Sequence, residues 1–182
     1  VEEQTVNGVT VNTVMGIIDA IEEDSENAHF QFRLKNHWVD GGLNRSRIKE
    51  YFALGQEDDT RSVAFIVDAD EPAVNSGGDS CPNPMEFVLH SLASCLTSTL
   101  VYHAAVRGID IESVESFLEG DMDVRGMLGL SDASRKAYNA VRVRMQVSSA
   151  ADADTLRELA LFSPVYDIIS NSLPVEFDLV VV

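Results

Sequence analysis

The sequence predicts an α+β domain in which antiparallel strands pack around one long, buried central helix. Three observations carry this. Short runs alternate apolar and polar residues, residues 84–107 are apolar on almost every helical face, and the elements do not recur as strand–helix pairs. The last point argues against a doubly wound parallel sheet. At 182 residues and 19.9 kDa the chain suits one domain with a proper core, or two very small ones.

Residues 10–24 place Val14, Ile17, Ile18 and Ile21 at helical spacing. From His29 the period becomes two: Phe30, Phe32 and Leu34 alternate with Gln31, Arg33 and Lys35, as in a half-buried strand. Gly41-Gly42 marks a turn, LNRSRIKEYFAL reads as the returning strand, QEDDTR as a second turn and SVAFIVDA as a third strand. Residues 71–82 form a loop rich in Gly, Pro and Ser. The long helix then has clear ends. Asn83 suits the N-cap, Pro84 the first turn and Glu86 the position that reaches back to the cap amide. Gly108 follows Arg107 as a terminator. Strands are expected near 111–124 and 139–148, helices near 151–162 and 164–171, and a last strand over PVEFDLVVV.

Thirty acidic side chains against 13 basic ones give a net charge of −17 and a pI near 4.4. Nucleic acids and anionic membranes need a basic footprint, so neither is an expected partner. Seven of the acids fall in residues 1–26, which contain no Lys or Arg. The opening VEEQTVNG has neither a basic nor an apolar leader region, so the expected compartment is the cytoplasm. Residues 85–106 have membrane length, but Glu86, His90, His103 and several hydroxyls make a spanning helix unsuitable. Two cysteines are too few for a disulfide scaffold.

Cys95 sits within the long helix, flanked at helical spacing by Ser91, Ser98, Thr99 and Tyr102. Either it is a small core residue with the hydroxyls bonded back to helix carbonyls, or it is a reactive thiolate in a pocket. Mid-helix it gains little from the helix dipole, so a lowered pKa needs a nearby cation. Arg45, Arg47 and Lys49 alternate on one strand face and are the best source, unless they only protect a sheet edge. Cys81 precedes the helix start, and Asn83 to Cys95 spans roughly 18 Å along the helix, too far for a disulfide within one chain. His90 and His103 lie about 220° apart around the helix and make no metal pair, and no metal or cofactor motif is present. The segment GGDSCPNP lacks the ending of a phosphate loop.

Four motifs together resemble the OsmC-like family of osmotically inducible and organic hydroperoxide resistance proteins: N-P-x-E opening the helix, L-A-S-C within it, A-A-V-R-G-I ending it and S-P-V-Y-D near the C-terminus. The resemblance covers residues 28–182, which leaves 1–27 as an acidic helical extension. It implies an OsmC-like fold forming an intertwined homodimer, with the long helix buried between sheets. It also implies thiol-dependent reduction of organic hydroperoxides. Cys95 matches the peroxidatic cysteine, Arg45 (or Arg47) the arginine that stabilises its thiolate, and Glu86 stands one place after the expected glutamate, where Met85 is found. The resolving cysteine is replaced by Ser163, which cannot resolve a sulfenic acid. The expectation is therefore a one-cysteine peroxidase acting on a small organic hydroperoxide with an external thiol reductant. The alternative is a non-catalytic, stress-related protein that binds a small apolar ligand.

Overall fold

The computed structural model describes residues 3–181. In chain order it contains β1 (Thr5–Val6), β2 (Val9–Thr10), α1 (Val11–Glu23), β3 (Gln31–Phe32), β4 (Lys35–Asp40), β5 (Leu43–Ile48), β6 (Tyr51–Ala53), β7 (Gln56–Asp58) and β8 (Phe65–Ala69). After these come α2 (Pro84–Val106), β9 (Ile111–Met122), α3 (Val124–Met127), β10 (Tyr138–Ser149), α4 (Ala153–Ala160) and α5 (Pro164–Ser170). All the pairings among β3–β10 are antiparallel, so the chain is α+β as its element order predicts. The contacts divide it into two compact units, residues 3–5 with 10–88 and residues 6–9 with 89–181, the boundary falling inside α2.

The first unit holds two small sheets, with strand orders β4–β5–β8 and β3–β6–β7. The segment LNRSRIKEYFAL is not one strand. It breaks at Lys49-Glu50, because Ile48 pairs with Phe65 while Tyr51 pairs with Phe32 and Asp58 in the other sheet. Part of the expected QEDDTR turn is strand β7, and the chain reverses at Leu54-Gly55, both at positive φ. The alternation at Phe30, Phe32 and Leu34 does not produce burial: all three are exposed, Phe32 at 72 %.

The second unit has one continuous core. Leu92, Leu96, Leu100 and Ala104 form a stripe along α2 and pack with Leu156, Leu159 and Ala160 of α4. Val114, Leu118, Val141, Met145 and Val147 pack against this cluster. They lie on the hairpin of β9 and β10, whose register pairs Leu118 with Val143 and Val147 with Val114. Asn7, in the turn between β1 and β2, donates to the Ile109 carbonyl at 2.9 Å and accepts from the Ile111 amide at 2.8 Å. Its turn partner Gly8 has φ +77°, a left-handed position that favours glycine.

α2 begins and ends as expected, with Gly108 at φ +67° as terminator. It is not buried on all sides in this chain. Ser91, Ser94, Ser98 and Tyr102 form an exposed stripe opposite the leucines. The last expected strand is absent: residues 172–181 carry no helix or strand assignment, and Phe177 is 83 % exposed.

Candidate functional site around Cys95

The site is built on α2, and the start of that helix is tightly specified. The Asn83 side-chain oxygen accepts from the amides of Met85 and Glu86, both at 2.9 Å, and Glu86 accepts from the Asn83 amide at 2.8 Å. This is a reciprocal capping box. It gives the Glu86 carboxylate a structural task at the helix end.

Cys95 is half-buried and carries a free thiol. Its sulfur lies 3.9 Å from the Thr99 hydroxyl, one turn further on. Ser98 donates to the Cys95 carbonyl at 3.3 Å, and Ser94 donates to the Ser91 carbonyl at 3.2 Å. These hydroxyls are thus satisfied within their own helix, as side chains of this type are when no external partner takes them. Further along, the His103 ring stacks on Phe162 at 4.5 Å. Arg107 lies 3.1 Å from its Nδ1, and a guanidinium can only donate, so Nδ1 accepts and the ring is neutral. Burial, followed by the Arg107 charge, pushes the His103 pKa down.

Arg45 lies in the first unit, at the middle of β5 and directly across from Asp68 on β8. The two form a two-pronged ion pair, with both nitrogen–oxygen distances 2.7 Å. Hydrogen bonding to Asp68 raises the Arg45 pKa, and the same contact lowers that of Asp68. Cys81 also contributes electrostatically to the raised Arg45 pKa. Arg47 pairs with Glu50 at 3.2 Å. Of the three residues expected to act together, Arg45 and Glu86 belong to the first unit and Cys95 to the second.

The loop bearing Cys81 is organised by a residue that sequence reasoning did not single out. Asp70 is 3 % exposed and accepts from the amides of Glu71, Gly78 and Ser80 and from the Ser80 hydroxyl, at 2.8–3.4 Å. Those bonds, led by the Ser80 hydroxyl, hold its pKa below the usual carboxylate value. Ser163, which the resemblance sets where the peroxidases carry their second cysteine, has a structural task of its own. Ser163 is 1 % exposed and caps α5 by accepting from the Tyr166 amide at 3.1 Å.

Sequence reasoning also missed a cavity of about 690 Å³ in the second unit. Leu96 and Leu100 of α2, Val143 to Met145 of β10, Leu156 of α4 and Tyr166 of α5 contribute to its walls. No local motif marks it, because its walls come from four elements that meet only in the fold. Among the described residues, no group of three His, Cys, Asp or Glu side chains is placed to hold a metal ion. No described helix is long and apolar enough to cross a membrane.

Comparison with known proteins agrees with this architecture. An OsmC-like protein from Mycoplasma pneumoniae superposes with a TM-score of 0.57 at 12 % identity, over 78 % of this chain and 89 % of its own. An OsmC-like protein from Vibrio cholerae gives a TM-score of 0.53 at 14 % identity, covering 80 % and 95 %. A Psychrobacter arcticus protein described as an osmotic stress induced and detoxification response protein gives 0.51 at 20 % identity, covering 75 % and 85 %. No curated protein matches the sequence. The sequence profile described as OsmC-like protein matches residues 77–178, more than half of the chain and all of α2. The chain belongs to the OsmC-like family.

Proposed function

We propose that this protein reduces small organic hydroperoxides in a one-cysteine cycle centred on Cys95. The observation that carries the reading is the free, half-buried Cys95 thiol on a helix whose polar stripe remains open. In the first step the Cys95 thiolate attacks the peroxide O–O bond. The sulfur takes one oxygen and becomes a sulfenic acid, and the other oxygen leaves as the alcohol once protonated. An external thiol then condenses with the sulfenic acid, releasing water and leaving a mixed disulfide. A second thiol restores Cys95 and leaves as the oxidised reductant. Ser163 lacks the sulfur needed to resolve the sulfenic acid internally, which is why the reductant must come from outside.

The active species in this proposal is a homodimer. Supporting it are the exposed stripe of α2 and the sheet residues Phe32, Trp38 and Phe65, at 72 %, 71 % and 57 % exposure. Exposed apolar side chains in such numbers mark association surfaces. A second reading, a non-catalytic protein that binds a small apolar ligand, is favoured by two contacts. Arg45 is held by Asp68 and Glu86 by the helix cap, so neither is free to serve Cys95 within the chain.

Peroxide consumption with cumene hydroperoxide and a dithiol separates the two readings. The native chain is expected to turn over, and Cys95→Ala to fall to the uncatalysed rate. Equal rates would remove the peroxidase reading.

A further inference from the structure

Asn7-Gly8 is the single Asn-Gly pair in the sequence, and both residues have positive φ, +53° and +77°. They make the two-residue turn that such a pair favours between β1 and β2. The pair also has a chemistry of its own. Asparagine is a thermally labile side chain, and a following glycine leaves the next backbone nitrogen unscreened. The Gly8 nitrogen can bond to Cγ of Asn7 while the Cγ–Nδ2 bond breaks, and ammonia leaves with the proton from that nitrogen. Water then opens the cyclic imide to aspartate or isoaspartate. Nothing is oxidised, and water is the only co-reactant.

In the closed turn this reaction is held back. Nδ2 of Asn7 donates to the Ile109 carbonyl at 2.9 Å and Oδ1 accepts from the Ile111 amide at 2.8 Å. The side chain is thus held on residues 109–111, within the same unit, and is not free to meet the Gly8 nitrogen. The hairpin behind this lock is slight. β1 and β2 have two residues each, they lie beside the N-terminus, and Gly8 is exposed. So short a pair opens readily, and each opening frees Asn7 for attack.

The product does not fit the lock. A carboxylate only accepts, so an aspartate here sets an oxygen where Nδ2 stood, 2.9 Å from the Ile109 carbonyl. An isoaspartate also lengthens the turn by one backbone atom. Neither can restore the lost donor. We propose that Asn7 is a deamidation site that works as a one-way latch, loss of its amide releasing the β1–β2 turn from residues 109–111. Val9, 8 % exposed in the closed turn, then loses its seat. The latch gives the second unit an age-dependent state and is independent of the chemistry at Cys95.

Incubation of the full chain at mildly alkaline pH, followed by peptide mapping with mass spectrometry, tests the site. Asn7 is expected to convert ahead of Asn75 and Asn171, the two asparagines that precede serine. Prior conversion of either, or no conversion at Asn7, would overturn the proposal. Amide hydrogen exchange tests the latch. In Asn7→Asp the Ile111 amide is expected to exchange about tenfold faster than in the fresh native chain, as befits a lost hydrogen bond and the unpaired carbonyl it leaves. An unchanged rate would overturn the latch. Because Asn7→Asp can fail to fold, Gly8→Asn supplies a second comparison. Asparagine tolerates positive φ, and its side chain screens the attacking nitrogen. After equal incubation the native chain is expected to show the faster Ile111 exchange and Gly8→Asn to keep the slow rate. Equal acceleration in both chains, or none in the native one, would overturn the latch.

Discussion

At the scale of single residues, the side chains with the most bonds are not the ones with reactive chemistry. Asp70 receives four hydrogen bonds from one short loop, and its carboxyl titrates below the ordinary range. A carboxyl whose folded pKa is depressed contributes stability that is fully present above its unfolded value of about 3.9 and is lost as pH falls through the lower folded value. Asp70→Asn is therefore expected to melt at a lower temperature than the native chain at neutral pH. The two melting curves should converge in strong acid, and a constant gap across pH would argue against an ionised Asp70. Ser163 shows the same division of labour. Its hydroxyl caps α5, so Ser163→Ala should cost about 1 kcal/mol in denaturant unfolding. Ser163→Cys places a thiol where the resemblance sets the family's second cysteine, and in the proposed cycle mass spectrometry after peroxide treatment is expected to show it coupled to Cys95.

Elements reveal what local sequence can and cannot specify. The ends of α2 were legible because Asn83, Pro84, Glu86 and Gly108 act on groups one turn away. Its buried stripe was not, because residues 84–107 read as apolar on almost every face and only packing against α4 and the β9–β10 hairpin selects Leu92, Leu96, Leu100 and Ala104. Leu100→Ala, at a position 1 % exposed, is expected to destabilise the protein by about 2–5 kcal/mol in equilibrium unfolding. The strands of the first unit were less legible. Nothing local marks Lys49-Glu50 as the place where one run divides between two sheets, since that depends on Phe65 and Phe32 as distant partners. Sequence hides the turn at Leu54-Gly55 because leucine rarely takes a left-handed backbone. The candidate site divides in the same way. Cys95 and Ser163 stood out by motif, whereas the Arg45–Asp68 pair and the Asp70 loop join residues 8–23 positions apart.

For the whole molecule, the net charge of −17 is an energetic burden spread over a chain with only 13 cations. Several of those cations are already committed: Arg33 to Glu57, Arg45 to Asp68 and Arg125 to Asp123, while Arg142 serves both Asp121 and Glu119. The remaining acids repel one another, and salt screens that repulsion. The melting temperature is expected to rise between low and moderate salt, and a flat profile would count against self-repulsion as a limit on stability. Sedimentation at micromolar concentration is expected to give twice the chain mass if the exposed faces of the first unit's sheets are joined in a dimer. Trp38 offers a direct optical reading of that event. It is the chain's single tryptophan, 71 % exposed on β4, with its indole N–H donating to the Gly41 carbonyl at 3.0 Å. An indole in water emits to the red of one enclosed by protein. A covered sheet would therefore shift the emission to the blue as concentration rises, without any added label.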